Sequence, residues 1–195
     1  MPSVSRFPGA ALLLGGALSL LGGCASPGPA GDPPAAVSGP AAAMRILAGV
    51  PFLPQEEDTC GPSSLAMLLR FHGKDASTRE LSEETRTAGL RGTLITDLAA
   101  AARRRGLPAE VSALAMGELR RRIAAGEPVV LLVDLGAWAW SRPHYMVAYG
   151  VTPEGVVAHS GRTEGAVIPY GVLDAQWAKM GRLAIVVVPV RGAPK

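Results

Sequence analysis

The order of sequence patterns predicts an α+β domain, a helical N-terminal half packed on an antiparallel sheet. Two observations carry this expectation. Between residues 60 and 125, capping signals and glycine stops delimit apolar-faced segments of helical length. From residue 128 onward, short runs rich in Val, Ile and Ala, separated by turn residues, take their place.

The elements follow in chain order. Asp58 or Thr59 is placed to cap a helix from Cys60 to about His72, stopped by Gly73, with Leu65, Leu68, Leu69 and Phe71 on its buried side. Ser77-Thr78-Arg79-Glu80 has the spacing of a capping box and opens a second helix to about Thr87. Thr93 is placed to cap a third, Leu94 to Arg105. Ala109 to Ala113 reads as a short strand and Met116 to Ala125 as a fourth helix. Pro128 to Val133 is continuously apolar, as a strand buried on both faces requires. His144 to Val151 and Val156 to His159 flank Pro153-Glu154-Gly155 and so form a hairpin. A short strand at Ala166 to Pro169, a helix at Gly171 to Met180 with Trp177 on its apolar side, and a strand at Leu183 to Val188 complete the domain.

The N-terminus has a different character. Arg6 precedes an apolar stretch, Ala10 to Leu21, too short for a stable membrane span, and then small residues. This is the form of a secretory signal. Leu21-Gly22-Gly23-Cys24 resembles a bacterial lipobox, which implies that Cys24 is lipidated and anchors the chain to a membrane. Ala25, rather than an Asp, follows it, which implies the outer membrane, facing the periplasm, in a Gram-negative envelope. The expected organisation is a signal peptide over 1–23, a Pro-, Gly- and Ala-rich tether over 24–44, the domain over 45–190 and a tail over 191–195.

Charge says little. The net charge is +3, and much of the basic excess lies in Arg103-Arg104-Arg105 and Arg120-Arg121-Arg122. Each run closes a helical pattern, where cations complement the helix dipole. With few aromatics to stack bases, no nucleic-acid partner is expected.

With Cys24 assigned to the anchor, Cys60 is the one thiol left for chemistry. It opens a helix, whose N-terminal dipole favours thiolate, and an imidazolium nearby would favour it further, lowering the thiol pKa into the range of about 3.5–7.5. Of the three histidines, His144 is the best placed, at the start of a strand after the loop Trp138-Ala139-Trp140-Ser141-Arg142-Pro143. Gln55 is positioned to offer its amide to a developing oxyanion, with the Cys60 N–H as second donor, and Gly61 allows substrate or chain to approach closely. His72 reads as a helix C-cap, and Asp134 and Asp174 as a strand-end and a helix carboxylate. Trp138 and Trp140 either line the substrate cleft or cover the core beside the active-site loop. One thiol and three histidines lack zinc spacing, so neither a metal nor another cofactor is expected.

Val50-Pro51-Phe52-Leu53-Pro54-Gln55, then Cys60-Gly61-Pro62, and much later Pro143-His144-Tyr145-Met146-Val147-Ala148-Tyr149-Gly150 resemble the papain-like cysteine peptidases that process double-glycine leaders, and in particular a bacterial lipoprotein branch of them. Gly89-Leu90-Arg91-Gly92-Thr93 and Ala125-Gly126-Glu127-Pro128-Val129 fit that branch, so the resemblance spans residues 50–189. It implies a papain-like fold, Cys60 as nucleophile, His144 as base, Gln55 as oxyanion donor, and a peptide or protein substrate with a small residue before the cut. The match departs at the third catalytic member. Where the family has an Asp or Asn to orient the imidazole, this chain has Val156-Val157-Ala158-His159-Ser160-Gly161. Ser160 falls at or near that place. Its hydroxyl can accept a hydrogen bond from the imidazole but cannot stabilise imidazolium by charge. Within these 195 residues no ATP-binding segment accompanies the domain, so the exporter role of some such peptidases is not expected. The reading is a membrane-anchored cysteine peptidase. Its alternatives are a peptidase-like binding module and an amidase or transferase acting on peptidoglycan with the same nucleophile.

Overall fold

The computed structural model describes residues 44–188 apart from 57, 88, 90, 91 and 138. Cys24 and Trp138, and the segments expected to be signal peptide and tether, therefore lie outside the described residues. The elements run β1 (Arg45–Ile46), α1 (Cys60–Phe71), α2 (Thr78–Thr85), α3 (Ile95–Arg104), β2 (Ala109–Ala113), α4 (Met116–Ala124), β3 (Val129–Asp134), β4 (Pro143–Val151), β5 (Gly155–Ser160), β6 (Thr163–Pro169), α5 (Tyr170–Ala178) and β7 (Leu183–Val187). This is the α+β arrangement expected.

All strand pairs are antiparallel. The sheet order is β2-β7-β3-β4-β5-β6, and β1 pairs with the C-terminal end of β4. β3 lies inside this order and is buried at every position, which explains its apolar run from Val129 to Val133. Helix α1 packs on β4 and against α2 and α3, burying Leu65, Leu68 and Leu69 completely. Phe71 is only half-buried, because it sits in the last turn of α1. Trp177 is fully buried, and its indole N–H donates to the Leu183 carbonyl at 2.8 Å, which joins α5 to β7.

Several boundaries differ from the sequence expectation, each for a physical reason. Leu94 rather than Thr93 is the N-cap of α3, and no side chain caps it; the Thr93 hydroxyl instead lies 3.4 Å from that of Thr85. Neither Asp58 nor Thr59 caps α1 through its side chain. Thr59 is the N-cap residue, but its hydroxyl is occupied by Glu56. β6 begins three residues early, at Thr163, because Gly161 and Arg162 make a tight turn directly after β5. β1 carries no sequence signal, being two residues long. The capping box at Ser77 and Glu80 is present with both of its hydrogen bonds.

Two arginines of each basic run are ion-paired. Arg104 and Arg105 both reach Glu84 of α2, and Arg121 and Arg122 both reach Glu118. No described helix is long and apolar enough to cross a membrane.

Candidate active site

The site is built where the start of α1 meets the start of β4. Cys60 is the first residue of α1 and is half-buried. The backbone N–H of Tyr145, the residue after His144, acts on its sulfur together with those of Gly61 and Cys60 itself. Gly61 suits this junction, which leaves little room for a side chain. A Cβ there would lie 3.1 Å from Leu98 Cδ1 and 3.2 Å from Tyr145 Cδ2. The close approach that Gly61 allows is thus that of the chain itself, with α1 pressed against β4. The Tyr145 hydroxyl donates to the Thr93 carbonyl at 2.9 Å, which ties β4 to the segment leading into α3.

His144 stands on β4 two residues before Met146, whose register partner on β5 is Ser160. Strand alternation puts residues 144, 146 and 160 on one face of the sheet. His144 Nε2 lies 3.1 Å from Ser160 Oγ. His159 points the other way. It is 1% exposed, with Nε2 at 3.2 Å from the Val50 carbonyl, Nδ1 accepting from the Gly165 N–H, and its ring against Tyr149 and Phe52. Of the two neighbours on β5, Ser160 is the one that meets the imidazole.

Burial works against the sequence expectation of an imidazolium–thiolate pair. Burial pushes the Cys60 thiol up. The N–H groups of Tyr145, Gly61 and Cys60 oppose that rise without overcoming it, and the Asp58 carboxylate adds to it. Burial pushes His144 down to about 4, and the Arg142 guanidinium contributes in the same direction. Both shifts favour the uncharged forms, a thiol and a neutral imidazole. Among the described residues no hydrogen bond joins them. The helix N-terminus was legible in the sequence; the depth of burial was not.

Gln55 is buried, with 4% exposure, and fully engaged. Its Nε2 donates to Ser64 Oγ at 2.8 Å and, at the longer distance of 3.4 Å, to the Cys60 carbonyl. Its Oε1 accepts from the Gly161 N–H at 2.7 Å, and its own N–H donates to the Gly161 carbonyl at 2.9 Å. The side chain thus bridges the first turn of α1 and the turn that follows Ser160. Sequence reasoning placed Gln55 beside the thiol but missed this second attachment, since a glycine N–H leaves no mark in a sequence.

The loop between β3 and β4 is organised by Asp134. Its Oδ1 accepts from the N–H groups of Gly136 (2.7 Å) and Arg142 (2.8 Å), and its Oδ2 from the Ser141 hydroxyl (3.0 Å). The two backbone donors hold its carboxyl below the usual range. Trp140, carried by this loop, is 82% exposed and takes no part in the cavity wall beside Cys60. Asp174 forms a paired contact with Arg182 away from the site. Among the described residues no group of three His, Cys, Asp or Glu side chains is placed to hold a metal ion.

One cavity of about 400 Å3 opens beside the thiol. Cys60 and Gly61 form part of its wall, with Tyr145 and Pro143 from β4 and the entry into α3.

Comparison with known proteins identifies the family and the fold. The model of the Peptidase C39 family matches residues 51–181, more than half of the chain and every candidate site residue of the domain. Among solved structures, the chain is similar to a protein described as a C39-like peptidase from Bacillus anthracis, with 21% identity, a TM-score of 0.62, and coverage of 75% of this chain and 98% of the other. It is also similar to a double glycine motif protease from an AMS/PCAT transporter, solved in complex with the leader peptide (20% identity, TM-score 0.58, 75% and 99% covered). A third is the peptidase domain of Streptococcus ComA, a bifunctional ABC transporter involved in a quorum-sensing pathway (20% identity, TM-score 0.57, 75% and 98% covered). No curated protein matches the chain.

Proposed function

The chain belongs to the peptidase C39 family, and from that premise we propose that it is a membrane-anchored cysteine peptidase that hydrolyses peptide bonds through Cys60 and His144. The observation that carries this reading is the meeting of the first turn of α1 with the start of β4, where Tyr145, the residue after His144, packs against Gly61, and His144 Nε2 lies 3.1 Å from Ser160 Oγ. A fold neighbour that holds a leader peptide supports a peptide as substrate class.

The chemistry follows from the resting state. With Nε2–H donating to Ser160 Oγ, Nδ1 is the basic nitrogen of His144. Because the pair rests neutral, the proton moves during attack rather than before it. As Cys60 Sγ bonds to the substrate carbonyl carbon, Nδ1 takes the thiol proton. The negative charge passes to the carbonyl oxygen, beside the N-terminus of α1. The Cys60 N–H is one donor to it. Gln55 Nε2 supplies the second by exchanging its long contact to the Cys60 carbonyl for the oxyanion. The C–N bond then breaks, and the leaving amine takes the proton from His144. Water, deprotonated by the same nitrogen, releases the acyl group and restores the thiol.

The anchor rests on Cys24 in its lipobox-like setting, and the placement at the outer membrane facing the periplasm on Ala25. The neutral pair and the absence of a carboxylate at Ser160 favour a second reading, a binding module that holds peptides without cutting them. Acid-quenched mass spectrometry separates the two. Incubation with peptide should leave an acyl adduct on Cys60, absent from Cys60→Ala and slower to form in His144→Ala. Peptide binding with no adduct and no cleavage would establish the binding module instead.

A further inference from the structure

Ser64 is a polar residue at a place where packing favours an apolar one. It lies one turn after Cys60 on α1 and is fully buried, and the helix runs on as Leu65-Ala66-Met67-Leu68-Leu69, equally buried. Alanine would suit both helix and core better, and a hydroxyl taken out of water costs stability unless it is hydrogen-bonded. Among the described residues, the side-chain partner of the Ser64 hydroxyl is the Gln55 amide, at 2.8 Å. The hydroxyl is therefore explained by what it does to Gln55.

The setting of that amide follows from its partners. The Gly161 N–H can only donate, so it fixes which end of the amide is the oxygen and turns Nε2 toward α1. Nε2 carries two hydrogens. One meets Ser64 Oγ at a good distance, and the other reaches the Cys60 carbonyl only at 3.4 Å. One N–H is thus held, and the other is loosely engaged beside the thiol. Ser64 grips the amide from α1 and Gly161 grips it from the turn after Ser160. Without the Ser64 hydroxyl, the Nε2 end is free to tilt toward the Cys60 carbonyl, and the second N–H loses its aim.

We propose that Ser64 is a positioning residue for the oxyanion hole, holding one N–H of Gln55 so that the other points at the oxygen that becomes negative. The inference rests on the peptidase reading above, with Gln55 as oxyanion donor. A misaimed donor costs less than a deleted one. Deleting an oxyanion donor costs about 10^2–10^3, so loss of the grip on Nε2, with Gly161 still holding Oε1, should cost about tenfold.

The test compares two reactions of Cys60 in the full chain, both followed by acid-quenched mass spectrometry. Acylation by N-acetylglycine p-nitrophenyl ester passes through an oxyanion. Alkylation by iodoacetamide displaces iodide at a saturated carbon and does not. The ratio of the two rates cancels changes in the thiol itself and reads the oxyanion donors. Ser64→Ala, which favours the helix and so should fold, should lower the ratio at least about fivefold with alkylation unchanged. In a Gln55→Ala background the same substitution should change the ratio less than about twofold, because Ser64 acts only through Gln55. A ratio unmoved by Ser64→Ala, or a fall that persists in full in the Gln55→Ala background, would overturn the positioning role and leave the peptidase reading intact. A native ratio in Gln55→Ala alone would remove Gln55 from the oxyanion hole, and Ser64 with it. Protein of native circular dichroism that iodoacetamide alkylates but the ester never acylates would overturn the peptidase reading, and this inference with it.

Discussion

At the residue scale, the account turns on what Ser160 can and cannot do. A hydroxyl at 3.1 Å from Nε2 fixes the imidazole's orientation but lends it no charge. Ser160→Ala should therefore lower kcat/KM only about 2- to 10-fold, the worth of one neutral hydrogen bond, against the ~10^4 that loss of an orienting carboxylate costs a serine protease. Ser160→Asp supplies the missing anion. It should raise the His144 pKa from about 4 toward neutrality, since a negative neighbour favours imidazolium. Titration of the imidazole by NMR reads that shift, and an unmoved pKa would place Ser160 away from the ring. Gln55 is the residue with most to lose. If its Nε2 serves the oxyanion, Gln55→Ala should cost about 10^2–10^3 in kcat. The Gly161 contact adds a structural penalty that a thermal melt would show separately.

At the element scale, the site is a junction, and the sequence shows its parts better than their fit. Cys60 and His144 were legible because each sits at the start of an element, and Gln55 through its spacing from Cys60. Ser160 was legible only through resemblance and spacing. The engagement of Gln55 with Gly161, the Tyr145 amide at the thiol and the organising role of Asp134 are long-range or backbone contacts, which residue types alone do not encode. The neutral state of the thiol and imidazole escaped sequence reasoning for a related cause. Helix polarity is local and readable, whereas burial depends on the whole fold. The junction between α1 and β4 makes its own prediction. Gly61→Leu, too large to be absorbed by a few tenths of an ångström of give, drives a side chain into Leu98 and Tyr145 and should destabilise the domain by about 1–3 kcal/mol, measured by urea unfolding. An unchanged midpoint would show that α1 can shift on β4. Loss of the Asp134 carboxylate, in Asp134→Ala, should instead leave the core intact and accelerate amide exchange in residues 136 and 142, whose N–H groups it holds.

At the scale of the whole molecule, the sheet and helices were predictable to within a few residues because the core obeys simple rules: β3 apolar from Val129 to Val133, Trp177 buried, the hairpin of β4 and β5 closed by Thr152-Pro153-Glu154. The buried titratable groups set a pH window for this fold. His144 is held at about 4 when folded and returns to about 6.5 when unfolded, so the unfolded chain binds the extra proton first. Stability should thus be intact above pH 6.5 and fall by on the order of 3 kcal/mol as the pH drops toward 4, with His159 adding in the same direction. The raised Cys60 thiol acts at the other edge. Its contribution is present below the unfolded pKa of 9.0 and is lost as the pH rises through the higher folded value. Urea unfolding across pH checks both limbs, and His144→Ala should flatten the acid one. The most direct test of the central claim is cleavage of an unbiased peptide mixture by soluble protein beginning after Cys24, followed by mass spectrometry with Cys60→Ala and His144→Ala in parallel. The account predicts products from the native protein, none from Cys60→Ala and a loss of at least about 10^2-fold in His144→Ala. Cleavage that persists in Cys60→Ala, or native protein that binds peptides and never cuts them, would contradict it.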